Sequence, residues 1–273
     1  MITLKSEREI ALMRKAGLLV WHAHRVAQSW VYPGVTTAEI DAAIERFFVG
    51  EKAVPLFKGV PGIVPFPAVA CISVNDEVVH GIPGERVINE GDIVSIDTGC
   101  KFDNWCGDSA ETHSVGKISE QFQSLLNVTK KSLEIAIKRL ETANYWSEVA
   151  RDMETYVKKH KFSVIESLVG HGIGREMHES PQVPNYVSTD LVRNCDFRIQ
   201  TGLVIAVEPM VNIGSKRIRT GSDHWTISTV DGKASAHFEH TIAITSSGPF
   251  ILTGPPASDD EKIDIMPYMG TAR

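Results

Sequence analysis

Apolar positions at the start of the chain recur with a helical period. Ser6-x-x-Glu9 has capping-box spacing, and Ile10, Met13, Gly17 and Val20 then share one face up to about Gln28. Pro33-Gly34 interrupts this helix. Thr36-x-x-Glu39 opens a second one, with Ile40, Ala43, Ile44, Phe47 and Phe48 as its buried stripe. The pattern then turns strand-like. Residues 68–73 and 92–98 are short, β-branched and bounded by Gly, Pro, Asn and Asp. Residues 101–104 read as a hairpin turn, and 108–115 as the returning strand. Helical periodicity resumes over 119–142, through Phe122, Leu125, Leu126, Leu133, Ala136 and Leu140, and over 147–160. Strand-like runs near 163–169, 203–212, 225–230 and 236–245 complete the pattern. Helices followed by strands, twice over, predict an α+β domain of two similar halves spanning 1–253. Residues 254–273 are polar, lack a sustained apolar period and are expected to form an appendage.

Five side chains do not fit a plain core: Asp97, Asp108, His171, Glu208 and Glu239, each in an apolar strand pattern or a glycine-rich turn. In GDIVSIDTG, Ile93, Ser95 and Asp97 share a strand face, and across the hairpin Asp108 has the parity to project on the same side. Two carboxylates so close need a shared proton or a bound cation. LVIAVEPM puts Glu208 at the end of an apolar strand, with Pro209 removing the next ladder donor, and AHFEHTIAIT places Glu239 within another. A single such acid is ordinarily satisfied by backbone donors; three apolar runs carrying acids are not a surface. Four carboxylates balance two divalent cations, which shared oxygens bridge at about 3.5–4 Å. His171 lies in VGHGIGREMHESP, whose glycines let the backbone turn sharply. Gly170-x-Gly172 begins a dinucleotide fingerprint, but Arg175 stands where its third glycine belongs. His178, and His80 in VVHGIPGE, are further candidates. His22, His24, His113, His160, His224 and His237 are read as structural or surface histidines.

Composition narrows the class without naming a chemistry. The 273 residues are 42% apolar and 23% charged, which excludes global disorder. A net charge of -6 opposes stable binding to nucleic acid. The N-terminus is charged throughout where a signal peptide needs an apolar core, and no run approaches membrane-spanning length, so a cytoplasmic protein is expected. Cys71, Cys100, Cys106 and Cys195 contain no C-x-x-C pair and are read as reduced thiols.

CISVNDEVVHGIPG, IDTG followed by CGDSAETHSVG, VGHGIGREMHESPQVPNY, IAVEPM and FEHTIAIT together resemble the type I methionine aminopeptidases, from about residue 5 to 253. The resemblance implies the pseudo-symmetric pita-bread α+β fold, an antiparallel sheet covered by helices, with two divalent ions (cobalt, manganese, iron or zinc) held between the halves. It implies that Asp97 chelates one ion, that His171 and Glu208 complete the other, and that Asp108 and Glu239 bridge both. Glu208 would also accept a proton, His178 would stabilise the developing oxyanion, and His80 would contact the scissile nitrogen. The substrate's free α-amine would bind near Asp97, and its methionine side chain would sit against Phe66, Cys71 and Trp225 with His80 at the edge. The implied reaction is removal of the initiator methionine from nascent N-termini when the second residue is small. A monomer that docks transiently at the ribosome is implied as well. Ile63, Pro65 and Met177 depart from common family residues at the pocket rim and bear on side-chain preference. Xaa-Pro peptidases share such ligands but usually carry a large preceding domain, whereas here the first ligand is already Asp97. A non-catalytic binding protein on the same fold would be marked by ligand loss, and this sequence keeps all five ligands and both histidines.

Overall fold

The computed structural model describes residues 1–270. Its first half runs α1 (Glu7–Ser29), α2 (Thr37–Gly50), β1 (Val54–Pro55), β2 (Ala70–Val74), β3 (Glu77–Val79), β4 (Ile93–Phe102) and β5 (Trp105–Ser114). The second half again opens with two helices, α3 (Glu120–Arg139) and α4 (Trp146–Lys159). It continues through β6 (Ser163–Val164), β7 (Gly170–Gly172), β8 (Glu179–Val183), β9 (Val204–Val207), β10 (Met210–Asn212), β11 (Ile218–Thr220), β12 (Ile227–Thr229), β13 (Ser235–His237), β14 (His240–Thr245) and β15 (Gly248–Ile251). Both predicted capping boxes form, Ser6 with Glu9 and Thr36 with Glu39.

All strand pairings are antiparallel. In the first half β4 is flanked by β5 on one side and by β1 and β2 on the other, while the largest sheet of the second half has the order β15-β14-β9-β7-β8. The hairpin turn is tighter than 101–104: Asp103 and Asn104, both with positive φ, are its two central residues, and the strands pair up to Phe102↔Trp105. Each half has its own core. One packs α1 and α2 residues such as Val20, Ile44, Phe47 and Phe48 on Ile72, Val94 and Ile96; the other packs Leu125, Leu133, Trp146 and Met153 on Ile205, Val207 and Ile242. This is the pita-bread arrangement.

Two glycines let α1 lie directly against neighbouring backbone, Gly107 on β5 and Gly17 toward the segment that follows β15. A Cβ on Gly17 would meet the Leu252 carbonyl oxygen at 2.2 Å, and one on Gly107 would meet the Gly17 nitrogen at 2.8 Å. The halves are joined along β5. Glu239 N–H donates to Ala110 O at 2.8 Å, Ser109 Oγ donates to Glu239 O at 2.9 Å, and Thr112 Oγ1 donates to His237 O at 2.7 Å.

Two expected strands are broken, and both breaks fall at acids. The run 203–212 divides into β9 and β10 around Glu208-Pro209, and 236–245 divides into β13 and β14 around Phe238-Glu239. The pairing passes from Val207↔His240 in one sheet to Met210↔His237 in another, so the two acids face each other at a shared corner. The segment after Gly254, expected as an appendage, packs back on the helices as far as it is described. Arg14 bonds the Ile251, Leu252, Gly254 and Pro255 carbonyls and pairs with Glu261, while Tyr268 lies edge-on to Phe47 with ring centroids 5.3 Å apart. Residues 271–273 lie outside the described part. No helix of the described residues is long and apolar enough to cross a membrane.

Candidate metal centre and substrate pocket

Asp97 lies opposite Ala110 in the hairpin and Asp108 lies opposite Gly99, so the two acids are diagonal neighbours on one face. Glycine at position 99 leaves room for this pair: a Cβ there would stand 3.0 Å from Asp108 Oδ1 and would crowd the acid. Asp108 and Glu239 are almost wholly buried, at 4% and 2% exposure. Together with His171 they place three ligand-type atoms within 4.8 Å of one another. Glu208 reaches the same spot, its Oε1 lying 3.7 Å from His171 Nε2.

Burial pushes Asp97 and Glu239 well above the ordinary carboxylate range, and repulsion from their acidic neighbours pushes the same way. Asp108 is pushed up to about 7, chiefly by burial, with Glu208 adding to the rise and His171 opposing it. One oxygen each on Asp97, Asp108 and Glu239 has no hydrogen-bond partner. Buried, unpartnered carboxylate oxygens converging on an imidazole are costly unless a cation is shared among them, so this donor set fits divalent metal. The His171 ring is oriented for that role. Its Nδ1 donates to Gly172 O at 3.0 Å, which leaves the Nε2 lone pair toward the carboxylates.

His178 stands perpendicular to His171 with ring centroids 4.4 Å apart. Its loop is pinned by its neighbour Glu179, which accepts from Arg175 N at 2.9 Å, Glu176 N at 3.3 Å and Lys5 Nζ at 2.6 Å. His80 approaches from the first half with φ 58°, a left-handed conformation that is uncommon for histidine and that aims its ring at this space. Burial holds both imidazoles below their usual pKa.

One cavity of about 570 Å³ is lined by every expected metal ligand, catalytic histidine and side-chain pocket residue: Asp97, Asp108, His171, Glu208, Glu239, His80, His178, Phe66, Cys71 and Trp225. Its apolar end is a cluster of Phe57, Phe66, Ala68 and Cys71, with Val60, Met177 and Trp225 packed on it. Trp225 fixes the rim: its Nε1 donates to Val64 O at 2.7 Å, and its ring is edge-on to Phe66 at 5.3 Å. Of the three departures from common family residues, Met177 lines the cavity, whereas Ile63, 80% exposed, and Pro65 face outward.

Sequence reasoning missed some of this wall. Phe57 and Val60 carry no distinguishing signal beside their apolar neighbours. His237, read as structural, is 1% exposed, has no partner on either ring nitrogen, and places Nε2 3.6 Å from Glu208 Oε2. Its spacing of two from Glu239 was the available hint.

The model of metallopeptidase family M24 matches residues 11–246. Methionine aminopeptidase 1 of Bacillus subtilis (strain 168) is 46% identical over 253 residues, 93% of this chain and 99% of that protein. Methionine aminopeptidase of Clostridium perfringens is 44% identical with the same coverage. The crystal structure of methionine aminopeptidase from Thermotoga maritima superimposes with a TM-score of 0.88 at 40% identity, covering 93% of this chain and 100% of that one. With identity this high over nearly the whole length, and with the acids and histidines of its motifs gathered in one cavity, the chain belongs to metallopeptidase family M24, among its methionine aminopeptidases.

Proposed function

We propose that the chain removes the initiator methionine from new polypeptides whose second residue is small, as a dinuclear metal-dependent exopeptidase. The observation that carries this reading is the single cavity in which four carboxylates and an imidazole adjoin a narrow apolar pocket. Residues 1–253 form its catalytic domain in this reading. Asp97, Asp108, His171, Glu208 and Glu239 would hold two divalent ions, of cobalt, manganese, iron or zinc. When bound, such ions supply Lewis acidity and an acidified water.

The protein's own groups then divide the work. Phe66, Cys71 and Trp225 hold the methionine side chain, and the α-amine sits beside Asp97, which limits attack to the first peptide bond. Glu208 takes up a proton from the attacking water. His178 and His80 are uncharged at neutral pH because burial lowers their pKa, so each donates a ring N–H without adding a fixed charge. His178 donates to the oxygen that becomes negative, and His80 to the departing nitrogen. The same reading makes the protein a cytoplasmic monomer that meets nascent N-termini and docks transiently at the ribosome, without stable binding to nucleic acid or membrane.

The test uses metal-depleted protein with Met-Ala-Ser and Leu-Ala-Ser, with manganese, cobalt, iron or zinc restored, and released amino acid measured by mass spectrometry. Metal-dependent release of methionine at roughly tenfold or more over leucine is expected. Equal release of both would reject the specificity. No release with any metal would reject catalysis.

A further inference from the structure

A second group of metal-type ligands lies outside the cavity. His24 on α1 and Glu111 and His113 on β5 bring three ligand-type atoms within 4.8 Å of one another. Glu111 and His113 are two apart and share a face of β5, while Asp108 has the other parity and turns to the cavity. The cluster therefore sits between α1 and the first sheet, on the far face of the strand that carries Asp108.

Both imidazoles are presented as ligands. His24 is 2% exposed and donates from Nε2 to Ser109 O at 2.8 Å, so its Nδ1 holds a lone pair, and that atom has no partner. His113 is 7% exposed, and its Nε2, also without a partner by hydrogen-bond geometry, lies 3.9 Å from Glu111 Oε2. Desolvation holds His24 down at about 4 and His113 below its usual range, so both rings are neutral near pH 7, the form that binds metal. Burial pulls the Glu111 carboxyl up, but His113 and His24, charged in the acid range where this carboxyl titrates, and Arg25 outweigh it, and the group is ionised near neutral pH. Arg25 pairs with Glu111 through Nη2 while its Nη1 donates to Gln28 Oε1 at 2.7 Å.

We propose that His24, Glu111 and His113 form a second divalent-cation site of zinc type, separate from the main centre, which clamps α1 to β5. Two imidazoles and one carboxylate are a donor set for zinc and its late first-row neighbours, with a fourth position left to water. Bonds of about 2.0–2.1 Å in a tetrahedron set ligand atoms roughly 3.3 Å apart, so the cluster closes by at most about 1.5 Å on binding. The nearby Arg25 cation weakens the site, and it fills after the main centre. The chemical signature is a further equivalent of zinc that depends on histidines the reaction does not use.

The unsubstituted protein and the His24→Gln/His113→Gln double variant are dialysed against rising zinc concentrations, and bound metal per chain is measured by plasma mass spectrometry. The expected result is one equivalent more in the unsubstituted protein, appearing at the high-concentration end, with manganese-dependent peptide cleavage kept by the variant. The difference of one is the readout, whatever the occupancy of the main centre. Equal stoichiometry at every concentration would overturn the proposal and leave an Arg25–Glu111 ion pair packed between two neutral rings. Should the double variant fail to fold, imidazole NMR of the unsubstituted protein reads the same point. The His24 and His113 ring signals shift with the last equivalent if they are ligands, and unshifted signals overturn the proposal.

Discussion

Replacing Glu239 with Gln separates the cost of the carboxylate cluster from its use. Oxygens of Asp108 and Glu239 lie within 4.8 Å of each other. Two like charges at that distance repel by roughly 3 kcal/mol at an effective dielectric near 20, and Glu208 and Asp97 add to the strain on Glu239. Gln keeps the shape and drops the charge. Metal-depleted Glu239→Gln should therefore be more stable than metal-depleted parent by up to about 3 kcal/mol, or several degrees in Tm at ~2–4 °C per kcal/mol for a chain of this size. Added divalent cation reverses the order. A ligand at a thousand times its Kd contributes about 4.1 kcal/mol to the parent, while the variant, short of one donor charge, gains much less. Methionine release by the variant should fall more than ~100-fold, since even changes behind the ligands cost about 10–100-fold. The assay is thermal unfolding by circular dichroism at pH 8, after chelation and again with manganese. A metal-depleted variant less stable than the metal-depleted parent would refute the reasoning, because the cluster would then be a satisfied polar core.

Two other perturbations test the scaffold. Gly17→Ala should destabilise the protein by about 1–3 kcal/mol in urea unfolding despite a helix-propensity gain of about 1 kcal/mol, because its Cβ would stand 2.2 Å from the Leu252 oxygen and α1 would have to lift off the backbone at Leu252–Thr253; an equally or more stable variant would contradict this close approach. Asp41 accepts from Val69 N at 3.0 Å and Ala70 N at 2.9 Å, yet burial raises its pKa from 3.8 to about 6. The folded-state pKa of this acid is the higher one, so its contribution is full below about pH 4 and is lost as pH rises through 6, by about 2 kcal/mol once partial exposure is discounted. Asp41→Asn lacks that loss: its stability relative to the parent should grow by about that amount between pH 4 and 7.5, and a constant difference would show that Asp41 does not titrate this way.

The parts of this molecule that were legible in the sequence are those where a physical conflict had to be written locally. Both capping boxes and the 3.6-residue stripes of α1 and α2 are short-range devices and survive unchanged. An acid inside an apolar strand run is likewise a local conflict, because water cannot be its partner, and Asp97, Asp108, Glu208 and Glu239 all meet in the cavity. The break at Glu208 was half visible through Pro209, whose missing N–H ends the ladder. The break at Phe238-Glu239 was not, since it arises where β13 and β14 pair with β10 and β9 in different sheets. The return of the tail rests on Arg14 reaching four backbone carbonyls, and such contacts leave no period. Histidine is the hardest residue to read. A neutral imidazole is buried at modest cost, so a ring on the core side of a helix or strand gives the same pattern whether it packs, lies near Glu208 as His237 does, or stands beside Glu111 as His24 and His113 do. Which of these holds depends on what the neighbouring chain brings opposite the ring, and that is set by strand pairing at separations of tens of residues.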